Sequence, residues 1–197
     1  MRSALPALVA TAAVAALAVL PAGASASTPV IPAKQRGKPV LTGTYQRLDG
    51  KRINLSRLRG RVVLVVNTAS HCGFASQYGP LESLWRERRT KGVSVVGVPS
   101  NDFKQEYPSD LMVKRFCKRN FGVSFPMLRI SKVTGAKAIP LFRGLASPSW
   151  SSQPQWNFNK YLVDTKGRPA MYFPSSEEPG SPAMTKAIDA LLAERSA

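Results

Sequence analysis

Arg61-Val62-Val63-Leu64-Val65-Val66-Asn67-Thr68-Ala69-Ser70-His71-Cys72-Gly73-Phe74 decides the fold. Val62 to Val66 is an unbroken apolar run closed by an asparagine, the pattern of a strand buried on both faces of a parallel sheet. Val93-Ser94-Val95-Val96-Gly97-Val98 is a second such strand and stops at Pro99. Between them, Leu81 to Arg89 carries Leu81, Leu84 and Trp85 on one helical face. Strand, helix and strand make a β-α-β unit with a right-handed crossover.

Downstream, Ser109 to Asn120 reads as a second helix, with Met112, Val113, Phe116 and Cys117 on its apolar face. Phe158 to Val163 and Ala170 to Phe173 flank the turn Thr165-Lys166-Gly167-Arg168 and predict an antiparallel hairpin. Ser181-Pro182 opens a last helix, serine as cap and proline in the first turn, with Ala187, Ile188, Leu191 and Leu192 as its buried stripe. Parallel strands first, a hairpin later and helices between them define an α/β sandwich.

The first residues, from Met1-Arg2-Ser3 through the Ala/Leu/Val-rich run to Leu20, have the form of a secretory signal peptide. Ala22-Gly23-Ala24-Ser25-Ala26 supplies small residues for cleavage after Ala26, which leaves about 170 residues for one domain. A retained membrane anchor is the alternative, but the run contains Pro6, stops at Pro21 and barely reaches spanning length. The expected organisation is a signal peptide at 1–26, an exposed tether at 27–40 and one domain at 41–197. The expected location is periplasmic or secreted, with no stable membrane insertion once the leader is removed.

The chain has 28 lysines and arginines against 11 acidic residues. The bases are scattered over Arg57, Arg59 and Arg61, over Arg86 to Lys91, and over Lys114 to Arg119, without a nucleic-acid fold signature. A solvated basic surface is the simpler reading, and no specific nucleic-acid partner is expected. A basic binding module is the competing reading.

Cys72, one of only two cysteines, follows a strand end, where a thiol tends to sit at the start of the next helix and its thiolate is favoured. Gln105-Glu106 and Trp156-Asn157-Phe158 add neutral N–H donors from Gln105, Asn157 and the Trp156 indole. A nucleophilic sulfur among such donors suits attack on a peroxide O–O bond. A buried structural thiol is the bland alternative for Cys72, a polar-loop glutamine for Gln105 and a core aromatic for Trp156. His71, the only histidine, adjoins Cys72 and has no evident Asn or Asp partner, and the metal-ligand count is too low for a metal site.

These motifs resemble the glutathione peroxidase family in its cysteine-containing, thioredoxin-dependent branch. The resemblance runs from Gly43-Thr44-Tyr45 through Leu58 to Leu64, the Cys72 motif and Gly97 to Phe103. It continues through Phe116-Cys117, Phe125-Pro126-Met127, Pro140-Leu141-Phe142 and Trp156 to Asp164. It implies a thioredoxin-like fold, a central mixed β-sheet flanked by helices. It also implies a peroxidase with Cys72 as nucleophile and Gln105, Trp156 and Asn157 completing a tetrad. Cys117 matches the branch's resolving cysteine, which would condense with Cys72 sulfenic acid into a disulfide; a permanent structural disulfide is the alternative. The substrate implied is hydrogen peroxide or an organic hydroperoxide, the reductant a thioredoxin-like protein or glutathione, and no cofactor is called for.

Three positions depart from the family pattern: Asp102 in Asn101-Asp102-Phe103, Ala75 after Gly73-Phe74, and Tyr172 where an arginine is common. Ser100 stands where some relatives carry a third cysteine. A peroxide sensor passing its disulfide to a partner is the competing redox function. Absence of any Cys-x-x-Cys speaks against a thiol–disulfide carrier.

Overall fold

β3 (Val62–Thr68) is buried at every position and lies at the centre of the main sheet. The structure, a computed structural model, describes residues 30–195; the signal-peptide reading falls outside them. β4 (Val93–Pro99) pairs with β3 in parallel, Val62 opposite Val93 and Thr68 opposite Pro99. On the other side β5 (Lys160–Val163) runs antiparallel to β3, and β6 (Pro169–Phe173) antiparallel to β5, giving the order β4-β3-β5-β6. The mixed sheet flanked by helices is the one expected. A second, two-stranded sheet was not foreseen: β1 (Thr44–Gln46) and β2 (Arg52–Asn54) form a small hairpin.

Strand alternation divides the core into two faces. Val62, Leu64, Val66, Val93 and Val95 pack with Leu81 of α1 (Tyr78–Arg88), Val113 and Cys117 of α2 (Asp110–Phe121), and Ile188 of α4 (Pro182–Ala193). Val63, Val65, Val96 and Val98 pack with Leu141 and Phe142 of the short α3 (Pro140–Leu145) on the opposite face. Burying each such valine or leucine fully contributes about 1.5–3 kcal/mol, so the two-sided sheet dominates the apolar stabilisation. At Gly97 a Cβ would collide with the Met127 sulfur, so a side chain there would displace the Met127 and Phe125 side chains of the segment paired beside β4.

Ser109 caps α2 through a bond from the Met112 N–H at 3.3 Å, and Gly122 ends it in the left-handed region at φ 64°. Met112, assigned to the buried stripe, is instead 43% exposed, because the helix rotates Val113 and Cys117 inward and leaves Leu111 and Met112 facing out. Ser181 caps α4 as expected, and Met184 joins its buried stripe while Leu192 is only partly buried.

The 27–40 stretch is not a free tether over its described part. Pro32 to Gln35 are exposed, but Arg36 and Val40 are buried, and the Ile31 and Val40 N–H groups donate to the Ala170 and Gly167 carbonyls. Arg36 explains the docking: its guanidinium bonds Asp164 and Glu194, so this basic residue is drawn down onto the domain.

Candidate active site

Cys72 lies four residues beyond β3 in a tight turn, its side chain buried. It does not start the helix. α1 begins at Tyr78, after a short 3-10 turn over Ala75–Gln77, and the Ala75 N–H closes the Cys72 turn by donating to the Cys72 carbonyl at 2.9 Å. Pro80 in the first turn of α1 and the glycines at 73 and 79 account for this delayed start. The expected help from a helix N-terminus is thus replaced by a local one. The Phe74 N–H points at the Cys72 sulfur from 3.5 Å.

The Gln105 and Asn157 amides are bonded to one another, Asn157 Nδ2 donating to Gln105 Oε1 at 2.9 Å. The loop that carries Gln105 is tied to the Cys72 turn, because the His71 N–H donates to the Gln105 carbonyl at 2.9 Å. Asn157 is fully buried and its backbone carbonyl accepts from the Ser175 hydroxyl at 2.6 Å. Trp156 is 42% exposed, with its ring against Phe103 at 5.4 Å and its carbonyl accepting from Asn67 Nδ2 at 2.9 Å. Asn67, next to last in β3, thereby joins that strand to the Trp-Asn segment. Phe158 turns that segment with a positive φ of 63°, and its N–H donates to the Asn67 carbonyl.

Three further residues support this arrangement and were given no role from sequence. Lys160 is fully buried in β5 with its Nζ donating to the Phe158, Pro174 and Ser175 carbonyls; burial lowers its ammonium to about 8. Asn159 donates to the Ser175 hydroxyl at 2.8 Å. Glu106 is buried and accepts from the Ser70 and Tyr107 N–H groups at 3.1 and 2.9 Å. A lysine that follows Trp-Asn-Phe-Asn carries no sequence signal of burial, since lysine is almost always exposed.

Cys117 is a free thiol in α2, buried in the same core face as Cys72. Burial, offset in part by Tyr78, pushes its thiol up to about 12, so it is a neutral S–H while α2 is folded. A cavity of about 210 Å³ between α2, the β1–β2 turn and Val123–Met127 reaches its side chain. Cys72 and Cys117 are both buried and no disulfide joins them.

The departures have structural roles. Asp102 Oδ2 accepts from the Val133 and Thr134 N–H groups at 2.7 and 3.0 Å, and its carboxylate pairs with Lys132 at 2.8 Å. Ser100 is buried and accepts from the Asp102 N–H. Tyr172 packs edge-on against Tyr161.

A glutathione peroxidase family model matches residues 40–146. Glutathione peroxidase-like peroxiredoxin GPX5 of Chlamydomonas reinhardtii is 38% identical over 73% of this chain and 92% of its own. Hydroperoxy fatty acid reductase gpx1 of Synechocystis is 38% identical over 67% and 84%. The crystal structure of T. cruzi GPX1 superposes with a TM-score of 0.63 at 26% identity, covering 79% of this chain and 97% of that one. The fold is thioredoxin-like, and the chain belongs to the glutathione peroxidase family.

Proposed function

We propose that the chain is an exported thiol peroxidase that reduces hydrogen peroxide and organic hydroperoxides through Cys72. The observation that carries this reading is the buried Cys72 turn, whose sulfur the Phe74 N–H faces and which is bonded through His71 to the loop of the Gln105–Asn157 pair. The Cys72 thiolate attacks one peroxide oxygen; the O–O bond breaks, alkoxide or hydroxide leaves, and Cys72 becomes a sulfenic acid. Gln105, Asn157 and the Trp156 indole N–H supply neutral donors for the charge that develops on the leaving oxygen. Cys117 then displaces hydroxide from the sulfenic sulfur and closes a Cys72–Cys117 disulfide. Because Cys117 is buried in a capped helix, α2 must loosen for the sulfurs to meet at disulfide geometry.

A thioredoxin-like protein outside the cytoplasm reopens that disulfide. The leader at 1–26 supports export, and the resemblance of Cys72 and Cys117 to a two-cysteine pair supports a dithiol donor over glutathione. Peroxide consumption by the chain from Ser27 onward tests the reading with dithiothreitol, glutathione and a thioredoxin system side by side. Turnover is expected with the dithiols and little with glutathione. A protein inert to peroxide with all three is not a peroxidase.

A further inference from the structure

The cavity of about 210 Å³ between α2, the turn of the β1–β2 hairpin and the segment after α2 has two kinds of wall. Its buried lining is apolar: Leu48 from the hairpin turn, Cys117 from α2, and Val123, Phe125 and Met127 from the segment beyond the helix. An apolar cavity of about 150 Å³ is enough to hold benzene, so this one has room for a single ring with a short chain. The more exposed lining is basic. Lys114 and Lys118 stand one turn apart on α2, and neither reaches a carboxylate among the described residues. Arg47 lines the cavity from the hairpin; its Nη2 pairs with Asp49 at 2.9 Å, while its Nε is buried with no acceptor. Asp49 is the only acid in the lining. The N–H and hydroxyl of Ser124 are already committed to Glu82, which Arg86 pairs in turn. Three bases against one acid leave the rim of this apolar cavity positive.

We propose that this cavity binds a small organic anion, an apolar ring or short chain ending in a carboxylate, and that the bound anion holds α2 closed. The regulatory half rests on the peroxidase reading above, in which Cys117 must leave its place in α2 to reach Cys72. The apolar end packs against Leu48, Val123, Phe125 and Met127, and its burial supplies most of the affinity. The carboxylate turns to Lys114 and Lys118, whose ammonium groups select for negative charge. The two sides of the cavity belong to parts of the fold that separate when α2 opens. The Leu48 N–H donates to the Met127 carbonyl at 3.1 Å, and the Gly97 N–H of β4 donates to the Pro126 carbonyl at 3.0 Å. That wall is therefore fastened to the main sheet, whereas Lys114, Cys117 and Lys118 travel with the helix. The complete cavity exists only while α2 is folded, so a molecule that fills it opposes opening by mass action.

None of Cys72, Gln105, Trp156 and Asn157 lines this cavity. The anion therefore leaves peroxide attack on Cys72 untouched and acts on the second step alone. It holds the protein at the sulfenic acid, the form that a further peroxide can over-oxidise.

The probe is 3-phenylpropionate, with 3-phenylpropan-1-ol as its neutral counterpart, each titrated calorimetrically into the reduced protein. The acid should bind one to one and the alcohol about fivefold more weakly. Exchanging both exposed lysines, Lys114→Ala with Lys118→Ala, should weaken the acid by that factor and leave the alcohol unchanged. Val123→Phe fills the cavity and should abolish both; if it does not fold, the lysine variant decides. The pre-reduced protein is then mixed with one equivalent of peroxide, quenched with an alkylating agent and followed by intact mass. With the acid at ten times its Kd, disulfide formation should slow about tenfold while Cys72 oxidation keeps its rate. Alkylation of Cys117 in Cys72→Ser reads the same opening without peroxide and should slow by the same factor. No binding, or equal binding of acid and alcohol, would overturn the proposal. So would a saturating probe that leaves the disulfide rate unchanged, or one that slows Cys72 oxidation equally and so occupies the peroxide site. A wild type that consumes no peroxide without the probe fails the peroxidase reading instead, and the titration and the Cys117 alkylation still decide the site.

Discussion

Asn157 donates its side-chain N–H to the Gln105 side-chain oxygen across 2.9 Å, joining the loop before β5 to the loop after β4. Each amide holds the other in place, so the two act as one unit. Gln105→Ala and Asn157→Ala should each slow Cys72 oxidation about 100-fold, the usual loss for one preorganised donor. The double variant should be little slower than either single one, because the first substitution already releases the partner. Trp156→Phe keeps an aromatic ring against Phe103 and should lose only the indole's share. Stopped-flow oxidation of the reduced proteins measures all four, and losses that multiply would show that the amides work independently.

The two thiols should separate cleanly by step. Cys72→Ser should consume no peroxide while keeping its fold. Cys117→Ser should consume one equivalent, then stall with Cys72 as sulfenic or sulfinic acid. Intact mass distinguishes the outcomes: the reduced wild type should lose about two mass units on peroxide addition, and Cys117→Ser should gain about one oxygen. Turnover by Cys72→Ser would remove this residue from the mechanism.

On the proposed mechanism α2 must open before Cys117 reacts, so its cap should set how readily that happens. The Ser109 hydroxyl accepts from the Met112 N–H, and Gly122 closes the other end. Ser109→Ala should destabilise the helix by about 1 kcal/mol. If opening of α2 precedes attack by Cys117, the same change should speed disulfide formation by up to about fivefold, since about 1.4 kcal/mol is a factor of ten. Amide exchange in residues 110–121 should rise in parallel. An unchanged disulfide rate with faster exchange would mean that opening of the N-terminal turn is not the limiting motion.

What was legible in the sequence follows from which signals are strong. β3 and β4 are long and buried on both faces, so their apolar runs are unambiguous, and the Ser109 and Ser181 caps announce their helices. β1 and β2 are three residues each with no buried position, so no alternation marks them. α3 spans six residues, too short for helical periodicity to show. Of the site, Cys72, Gln105, Trp156 and Asn157 were readable from motif, but the Gln105–Asn157 bond joins residues far apart in sequence. Lys160 was invisible for another reason: its importance comes from what surrounds it after folding.

Asp102 should make the protein acid-sensitive at one loop. Burial pushes its carboxyl up, but Lys132 and the Val133 and Thr134 N–H groups outweigh that and hold it below its ordinary range. A carboxyl depressed in the folded state stabilises above its unfolded value of about 4, and that contribution is lost as pH falls through the folded value. Asp102→Asn keeps an acceptor for the backbone but loses the Lys132 pair. The stability difference between wild type and variant should therefore be steady from neutral pH down to about pH 5 and shrink below about pH 4. Thermal unfolding over that range checks it, and a gap independent of pH would mean that the charge of Asp102 contributes nothing.

Arg36 sets where the folded unit begins. Its side chain is 1% exposed and bridges three places in the chain: the Ile31 carbonyl at 2.8 Å, Asp164 at 3.1 Å and Glu194 at 2.6 Å. Removing one partner of a buried pair typically costs about 3–5 kcal/mol, because the other charge is left without compensation. Asp164 keeps more than that case assumes, since Arg168 reaches the same oxygen at 2.8 Å and the Lys166 and Arg168 N–H groups donate to the other. Arg36→Ala should accordingly cost less, about 2–3 kcal/mol in urea unfolding. Glu194→Gln should cost about 0–1 kcal/mol, because Glu194 is 43% exposed and water replaces much of its partner. A chain starting at residue 41 loses Arg36 together with the Ile31 and Val40 backbone bonds, so it should be less stable than Arg36→Ala. Equal stability of that truncation and the chain from residue 27 would show that the segment lies against the domain without holding it.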